Sequence, residues 1–519
     1  MNTQPNPRLP VLVGVGQCVQ RDLAAQTTLL SPVELAAAAG RQALADTGAG
    51  ERLSPLIDVL AMVRLFEHSV GDRGMWANPF GSSNNVPRSV AHRLGLAPIH
   101  AIYAEVGGQS PQRLVNTLSA RLHAGEIRAA LLTGAEAIAT IRHASRQGLA
   151  LNWAEDIEGS CEDRWPGKSF VTPYEQNHGI AWPIHVYALF EQVRRARKKL
   201  SLAHYRAEMA ALLAPFSAIA AENPFAQFPM PRTAEYLATP SAENYRLCEP
   251  YTRWMVAQDG VNQSAAVILT TVGVAREAGI PQSKWIHLHG HADLDEVNVL
   301  RRARLDVSEA QNRAVQLALA ASDLTIEQIG PLDCYSCFPI AVSSIAEPLG
   351  LPLDGSRPLT VTGGLPFFGG PGNNYSMHAL ASLVERLRAQ PAAKGLLVAN
   401  GGYLSKHSVG VYSATAPEHW QPVEASAEQR VVEATGNVVV DEKAEGRATI
   451  ETCAAIYRKE QPVDGFVIAR LREGGGRCLA KAMPGDTAAL ACLFAEEVIG
   501  REIEISRHEG LHHFRLTQA

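Results

Sequence analysis

The chain has 519 residues and a net charge of -5, with 46% hydrophobic and 19% charged residues. This balance carries no signature of disorder and no basic field for nucleic acid or an anionic membrane surface, and no apolar run is long enough to span a bilayer. Eight cysteines in so long a chain do not make a disulfide framework, and the opening MNTQPNPRLPVLVGVG has no charged n-region or small-residue cleavage site, so a reduced, cytoplasmic setting is expected.

From Leu9 to about Ser413, short apolar runs alternate with amphipathic helical stretches. LPVLVGVG, HAIYAE, AALLTGAEA, SAAVILTTV and KGLLVANGG read as buried strands, rich in valine and small residues and punctuated by Gly or Asn. The alternation predicts an α/β architecture with helices covering a mostly parallel sheet. Near the start, VGVGQCV offers Gly14 and Gly16 after a strand, but the third glycine of a dinucleotide fingerprint is missing.

A glycine loop follows at Val106, in VGGQSPQRLVNTLSARLHAGEIRAALLTGAEA. Ser110 and Pro111 read as the N-cap and first turn of a helix. Leu114, Val115, Leu118 and Leu122 form its apolar face, and Gly125 ends it. The same order returns at Phe368, in FGGPGNNYSMHALASLVERLRAQPAAKGLLVANGGY, where Leu380, Leu383, Val384 and Leu387 make the face. Glycine loop, helix, buried strand and glycine turn thus occur twice, as two related halves would have them. GGPGNNY has no Gly-Lys-Ser/Thr and is not a P-loop. The Trp- and Pro-rich stretch from about 147 to 248 interrupts the pattern as a lid-like insertion.

Three motifs carry candidate chemistry. HLHGH puts His287, His289 and His291 on one face of a strand, without acidic or cysteine partners nearby, so a structural or surface role is expected over metal binding. DCYSCFP places Cys334 and Cys337 just before a helix start at Pro339, where the dipole lowers a thiol's pKa if it is exposed and burial makes it inert. NGGYLSKHSVGVYS supplies Tyr403, Lys406 and His407, as a base in a loop or as surface cover. The tail changes character: ATIETCAAIYR, GFVIARLREGGGRCLAKA and REIEISR alternate like strands, and DTAALACLFAEE is a helix capped by Asp486. A small β-barrel is expected there, with Arg507, His508, His512 and His513 on a solvated edge.

These motifs, in this order and spacing, resemble the thiolase superfamily over about Leu9 to Ala416. They look most like the thiolase-like proteins of type 1, grouped with sterol-carrier-protein-type thiolases and often labelled acetyl-CoA acetyltransferases. The resemblance implies a duplicated fold of two βαβαβαββ halves in five α/β/α/β/α layers, followed by an extra domain with an OB-like barrel. The implied divisions are 1–284 with the insertion, 285–416, a linker at 417–429, and 430–519. It also implies a homodimer through a sheet edge, or a thiolase-type protein partner.

Carried over residue by residue, the family's reacting groups are missing. The acyl-accepting cysteine falls on Gly108, the activating histidine of Gly-His-Pro on Gly370, and the second cysteine on Ala399. The Asn-Glu-Ala-Phe or His-Asp-Cys-Phe motif reads Tyr335-Ser336-Cys337-Phe338, with tyrosine in the lead position. Three readings follow. The first is a binding protein for acyl-CoA or another lipid in a roomier pocket, with no tightly bound cofactor or metal. The second is an acyltransferase with Cys337 as relocated nucleophile, His378 or His407 as base and Tyr335 as donor. The third is a non-catalytic subunit of a thiolase complex.

Overall fold

The computed structural model describes residues 6–69, 76–165, 169–180, 182–458, 460–495 and 497–517. The duplication is visible in the strand order. In the first half the strand Pro10–Val19 lies antiparallel to Asn262–Thr271, which lies antiparallel to Ala129–Ala137; Ile57–Met62 and His100–Tyr103 then continue parallel. In the second half Ile286–Asp295 lies antiparallel to Lys406–Ser413, which lies antiparallel to Lys394–Gly401, and Leu332–Cys334 continues parallel. The two sets meet where Val11 and Leu12 pair with His287 and Ile286, giving one ten-stranded sheet with matching halves.

The helices repeat as well. Pro32–Asp46 covers the first half and Glu309–Ala321 the second. Ser110–Ala124 and Tyr375–Ala389 touch each other and strands of both halves, so they form the central layer. Their expected apolar faces, Leu114 to Leu122 and Leu380 to Leu387, are buried. Gly14 and Gly16 now have a physical reason: a Cβ on either would lie 2.3 or 2.2 Å from the carbonyl oxygens of Ala43 and Ala39 on the covering helix. Gly290 meets Ala318 in the same way in the second half. These glycines permit close helix–sheet packing rather than phosphate binding.

The insertion contains the helices Pro183–Arg197 and Leu202–Glu222 and a short strand Glu162–Asp163. That strand pairs with the edge strand His100–Tyr103, Ile102 opposite Glu162 and Tyr103 opposite Asp163, and Arg64 forms an ion pair with Asp163. The sheet edge that the resemblance assigned to a dimer is therefore covered by the chain itself. The stretch expected as a linker carries a helix, Ser426–Thr435, docked on the second half through Arg313–Glu428 at 2.5 Å and the Gln429 amide on Asp295.

The tail is a closed five-stranded barrel. Gly446–Arg458 pairs with Gln461–Leu471, then Arg477–Ala482, then in parallel Leu511–Leu516, then Glu502–His508, which closes back on the first strand. This 1-2-3-5-4 order, with the helix Thr487–Ala495 between the third and fourth strands, is OB-like as expected. Asp486 caps that helix, accepting from the Ala489 N–H. The strand Leu511–Leu516 corrects the expectation of a solvated histidine edge. Arg507 and His508 are exposed, but His512 and His513 are buried. His512 packs on the insertion, where its N–H donates to His178 Nε2 at 2.9 Å and its ring meets the Tyr174 hydroxyl at 3.0 Å.

Candidate functional site

Two glycine loops, one from each half, meet at the N-terminal ends of the central helices. Gly107 has φ +130 and Gly369 φ +118, backbone that side-chain-bearing residues rarely adopt. The Gly107 N–H donates to Asn373 Oδ1 at 3.0 Å, and Ser376 Oγ donates to the Gly108 carbonyl at 2.6 Å, so each loop holds the other. Gln109, not Ser110, occupies the N-cap position; Ser110 is the first helical residue and its hydroxyl turns back to the Glu105 carbonyl.

The three expected slots differ in how they are filled. A Cβ on Gly108 would lie 2.1 Å from the Tyr335 hydroxyl and 2.4 and 2.6 Å from two ring carbons. The phenol thus stands where a side chain at 108 would go, and the space is not roomier. Tyr335 is 6 % exposed and stacks edge-on against Tyr375, with ring centroids 5.5 Å apart. Its hydroxyl makes no hydrogen bond among the described residues, and burial holds its pKa well above that of free tyrosine. Gly370 is pinned by its N–H to the Gln258 carbonyl at 2.8 Å; a Cβ there would sit 3.3 Å from that oxygen and 3.4 Å from the Ala257 Cβ. Ala399 is buried in mid-strand, paired with Ser408.

Cys337 lies beside this site but in an unreactive setting. Its sulfur is 3.8 Å from the Asn400 amide nitrogen, and burial pushes the thiol up to about 12 despite the helix that starts at Pro339. The two candidate bases face elsewhere. His378 Nδ1 bonds Gln17 Oε1 at 2.8 Å and its ring meets Phe368; His407 Nε2 bonds Ser308 Oγ at 2.9 Å. Burial brings both imidazoles down to about 3. No hydrogen bond among the described residues joins Cys337 to either histidine. His287, His289 and His291 are buried, are lowered to about 4 by burial, and pack among Thr415, Trp420 and strand neighbours.

Residues that the sequence did not single out complete the site. Tyr187, from the insertion, accepts from Asn400 Nδ2 at 2.8 Å and the Leu404 N–H at 3.1 Å, and donates to the Gly402 carbonyl at 3.1 Å. Phe170 lies against Gly402 and Tyr403, with Trp165 beyond it and the Lys406 ammonium 4.1 Å over the Trp165 ring, which roofs the second glycine turn. Gln109 is fully buried with neither amide atom hydrogen-bonded, and Asn400 Oδ1 is likewise without a partner. Each such group costs about 1–3 kcal/mol if nothing fills its bonding capacity. Outside the loop, Arg232 lies 3.6 Å and Arg253 4.9 Å from the Trp254 ring centroid, and neither forms an ion pair among the described residues. From there the chain runs to Ala257, whose N–H bonds the Cys337 carbonyl at 2.9 Å, and to Gln258, which holds Gly370.

Comparison with known proteins agrees with this geometry. Residues 428–510 match the thiolase-like protein type 1 additional C-terminal domain. A crystal structure of a monomeric SCP2-thiolase like protein type 1 from Mycobacterium smegmatis is 36% identical with a TM-score of 0.83, covering 99% of this chain and 100% of that one. The dimeric peroxisomal thiolase of Saccharomyces cerevisiae shares 14% identity at a TM-score of 0.56, over 78–79% of this chain's length in common with the acetyl-CoA acetyltransferase of Syntrophomonas wolfei (15% identity, TM-score 0.55) and the Ltp2-ChsH2(DUF35) aldolase (16%, 0.57), all of which share the fold and cover 98–100% of their own chains. No curated protein sequence matches. The full-length likeness, with the matching tail domain, means that the chain belongs to the SCP2-thiolase-like proteins of type 1, members of the thiolase superfamily that carry an additional C-terminal domain.

Proposed function

We propose that this protein binds CoA thioesters and does not perform Claisen condensation or thiolysis. The observation that carries this reading is Tyr335 standing in the side-chain space of Gly108 while Gly370 and Ala399 leave no base beside it. A thiolase needs a nucleophile and the groups that activate it as one unit, and losing any member cripples the reaction. Cys337 is a poor substitute, because a thiol held near 12 supplies almost no thiolate at neutral pH.

The arginine pair favours a phosphate-bearing ligand. Two guanidiniums against one indole repel each other, and an anion between them relieves that repulsion with charge-assisted hydrogen bonds. CoA carries its phosphates at one end and its thioester at the other. The Arg232–Trp254 patch and the glycine loops are joined through Ala257 and Gln258.

Native mass spectrometry with CoA, acetyl-CoA and a longer acyl-CoA tests binding, and acetoacetyl-CoA thiolysis tests catalysis. Retained CoA with no thiolysis and no acyl adduct on Cys337 is expected. Thiolysis, or an adduct mapped to Cys337, refutes the non-catalytic reading; failure to retain any CoA species refutes the ligand.

A further inference from the structure

The buried carboxamide of Gln109 is the least explained polar group in the site. Its Oε1 lies 2.0 Å from where a Cβ on Gly107 would be and 1.8 Å from where one on Gly401 would be. Glycine is thus needed in both halves of the chain to let this one side chain through. The side chain so accommodated is fully buried, and neither its oxygen nor its nitrogen has a partner. The Tyr335 hydroxyl next to Gly108 also makes no hydrogen bond among the described residues. Gln109 further stands at the N-cap of the fifteen-residue Ser110–Ala124 helix without capping it, although a glutamine with its oxygen turned to the helix would satisfy a backbone N–H.

The donor and acceptor inventory of this cluster is mixed. Gln109 offers two N–H donors and an acceptor, and Tyr335 either role. A carboxylate or phosphate would leave the Gln109 amide oxygen facing its own oxygens. A bare thioester carbonyl would use the donors and leave the amide oxygen unmet. A secondary amide, with one N–H and one carbonyl, meets both kinds of group.

We infer that Gln109 is a recognition residue for a secondary amide of the bound ligand, with Tyr335 completing the contact. This rests on the CoA reading above, since the pantetheine arm of CoA carries two such amides.

The test compares Gln109→Leu with the unaltered protein. Leucine is one atom shorter, of comparable volume and without polar atoms, so the variant is expected to be at least as stable to heat. Affinities are measured by calorimetry for CoA, for S-acetyl-N-acetylcysteamine, and for its ester analogue lacking the amide N–H. In the unaltered protein the ester analogue is expected to bind at least tenfold more weakly than the amide. In Gln109→Leu, CoA affinity falls at least tenfold and the two small ligands become equal. If the unaltered protein binds CoA and Gln109→Leu binds it equally well, the inference is wrong and the CoA reading stands, Gln109 then holding only ordered water. If Gln109→Leu unfolds, the amide-against-ester comparison in the unaltered protein decides, and equal affinities overturn the inference. If the unaltered protein binds no CoA species, both readings fall together.

Discussion

Replacing Gly108 by alanine is a direct test of whether Tyr335 fills the vacated slot. The new Cβ would meet the Tyr335 hydroxyl at 2.1 Å and ring carbons at 2.4 and 2.6 Å, all well inside van der Waals contact. The obstacle includes rigid ring atoms, and the ring is backed by Tyr375, so it cannot yield by a simple rotation of its tip. Overpacking of this kind costs about 1–3 kcal/mol, and the ring overlap places this case near the upper end. The backbone term has the opposite sign: Gly108 does not have a positive φ, so alanine there would by itself stabilise by about 0.4–1 kcal/mol through the unfolded state. Tyr335→Ala costs about 3–5 kcal/mol alone, as a large buried aromatic. In that background Gly108→Ala should cost nothing or stabilise slightly, giving a coupling of about 2–3 kcal/mol in a double-mutant cycle. Urea denaturation followed by near-ultraviolet circular dichroism reads all four proteins. If Gly108→Ala changes stability by less than about 0.5 kcal/mol in the unaltered protein, a value within ordinary additivity error, Tyr335 does not occupy the slot and the argument against a nucleophile there loses its geometry.

Arg232→Gln combined with Arg253→Gln should weaken CoA binding at least tenfold while leaving dephosphorylated pantetheine unaffected, read by calorimetry at two salt concentrations; equal losses for both ligands would place the phosphates elsewhere. Burial lowers His287, His289 and His291 to about 4, and His378 and His407 to about 3. These groups are neutral when folded and protonate on unfolding, so their contribution is present above about pH 6.5 and is lost as pH falls toward those values, by about 1.4 kcal/mol per pH unit for each histidine. His291→Leu should reduce the slope of unfolding free energy against pH between 6 and 5 by about one proton; an unchanged slope would mean that this imidazole is already hydrated. With Glu162–Asp163 covering the edge strand, the protein should run as a monomer by light scattering at micromolar concentration, and a dimer there would refute the reading that this edge is closed.

The parts of this fold legible in the sequence are those whose signal is local. The strand runs AALLTGAEA and KGLLVANGG, mostly small and aliphatic residues, are buried along nearly their whole length, and both glycine loops announce themselves by composition. What stayed hidden depends on partners far away in the chain. GGQS shows a glycine pair, but only the folded chain shows that Gly107 and Gly401 make room for an unpartnered Gln109 amide while Gly108 makes room for Tyr335. LHHFRL reads as polar because its histidines are counted as solvated, yet Tyr174 and His178 of the insertion shield His512. Glu162 and Asp163 have poor strand propensity and form a strand only because the edge of the sheet and Arg64 are waiting for them.

The replacement residues also argue against simple decay of an enzyme site. Glycines alone at the positions that the resemblance assigns to a cysteine and a histidine would leave voids, and voids cost about 24 cal/mol for each Å³ that the surroundings fail to fill. Here Tyr335 occupies the space at Gly108, and Gln109 occupies the space between Gly107 and Gly401. A filling chosen only for stability would be apolar, since an aliphatic side chain closes a void without stranding hydrogen-bonding groups in the interior. Gln109 instead brings an amide whose oxygen and nitrogen both lack a partner. Stability alone gives no reason to place them there, whereas a ligand that supplies the missing donors and acceptors does.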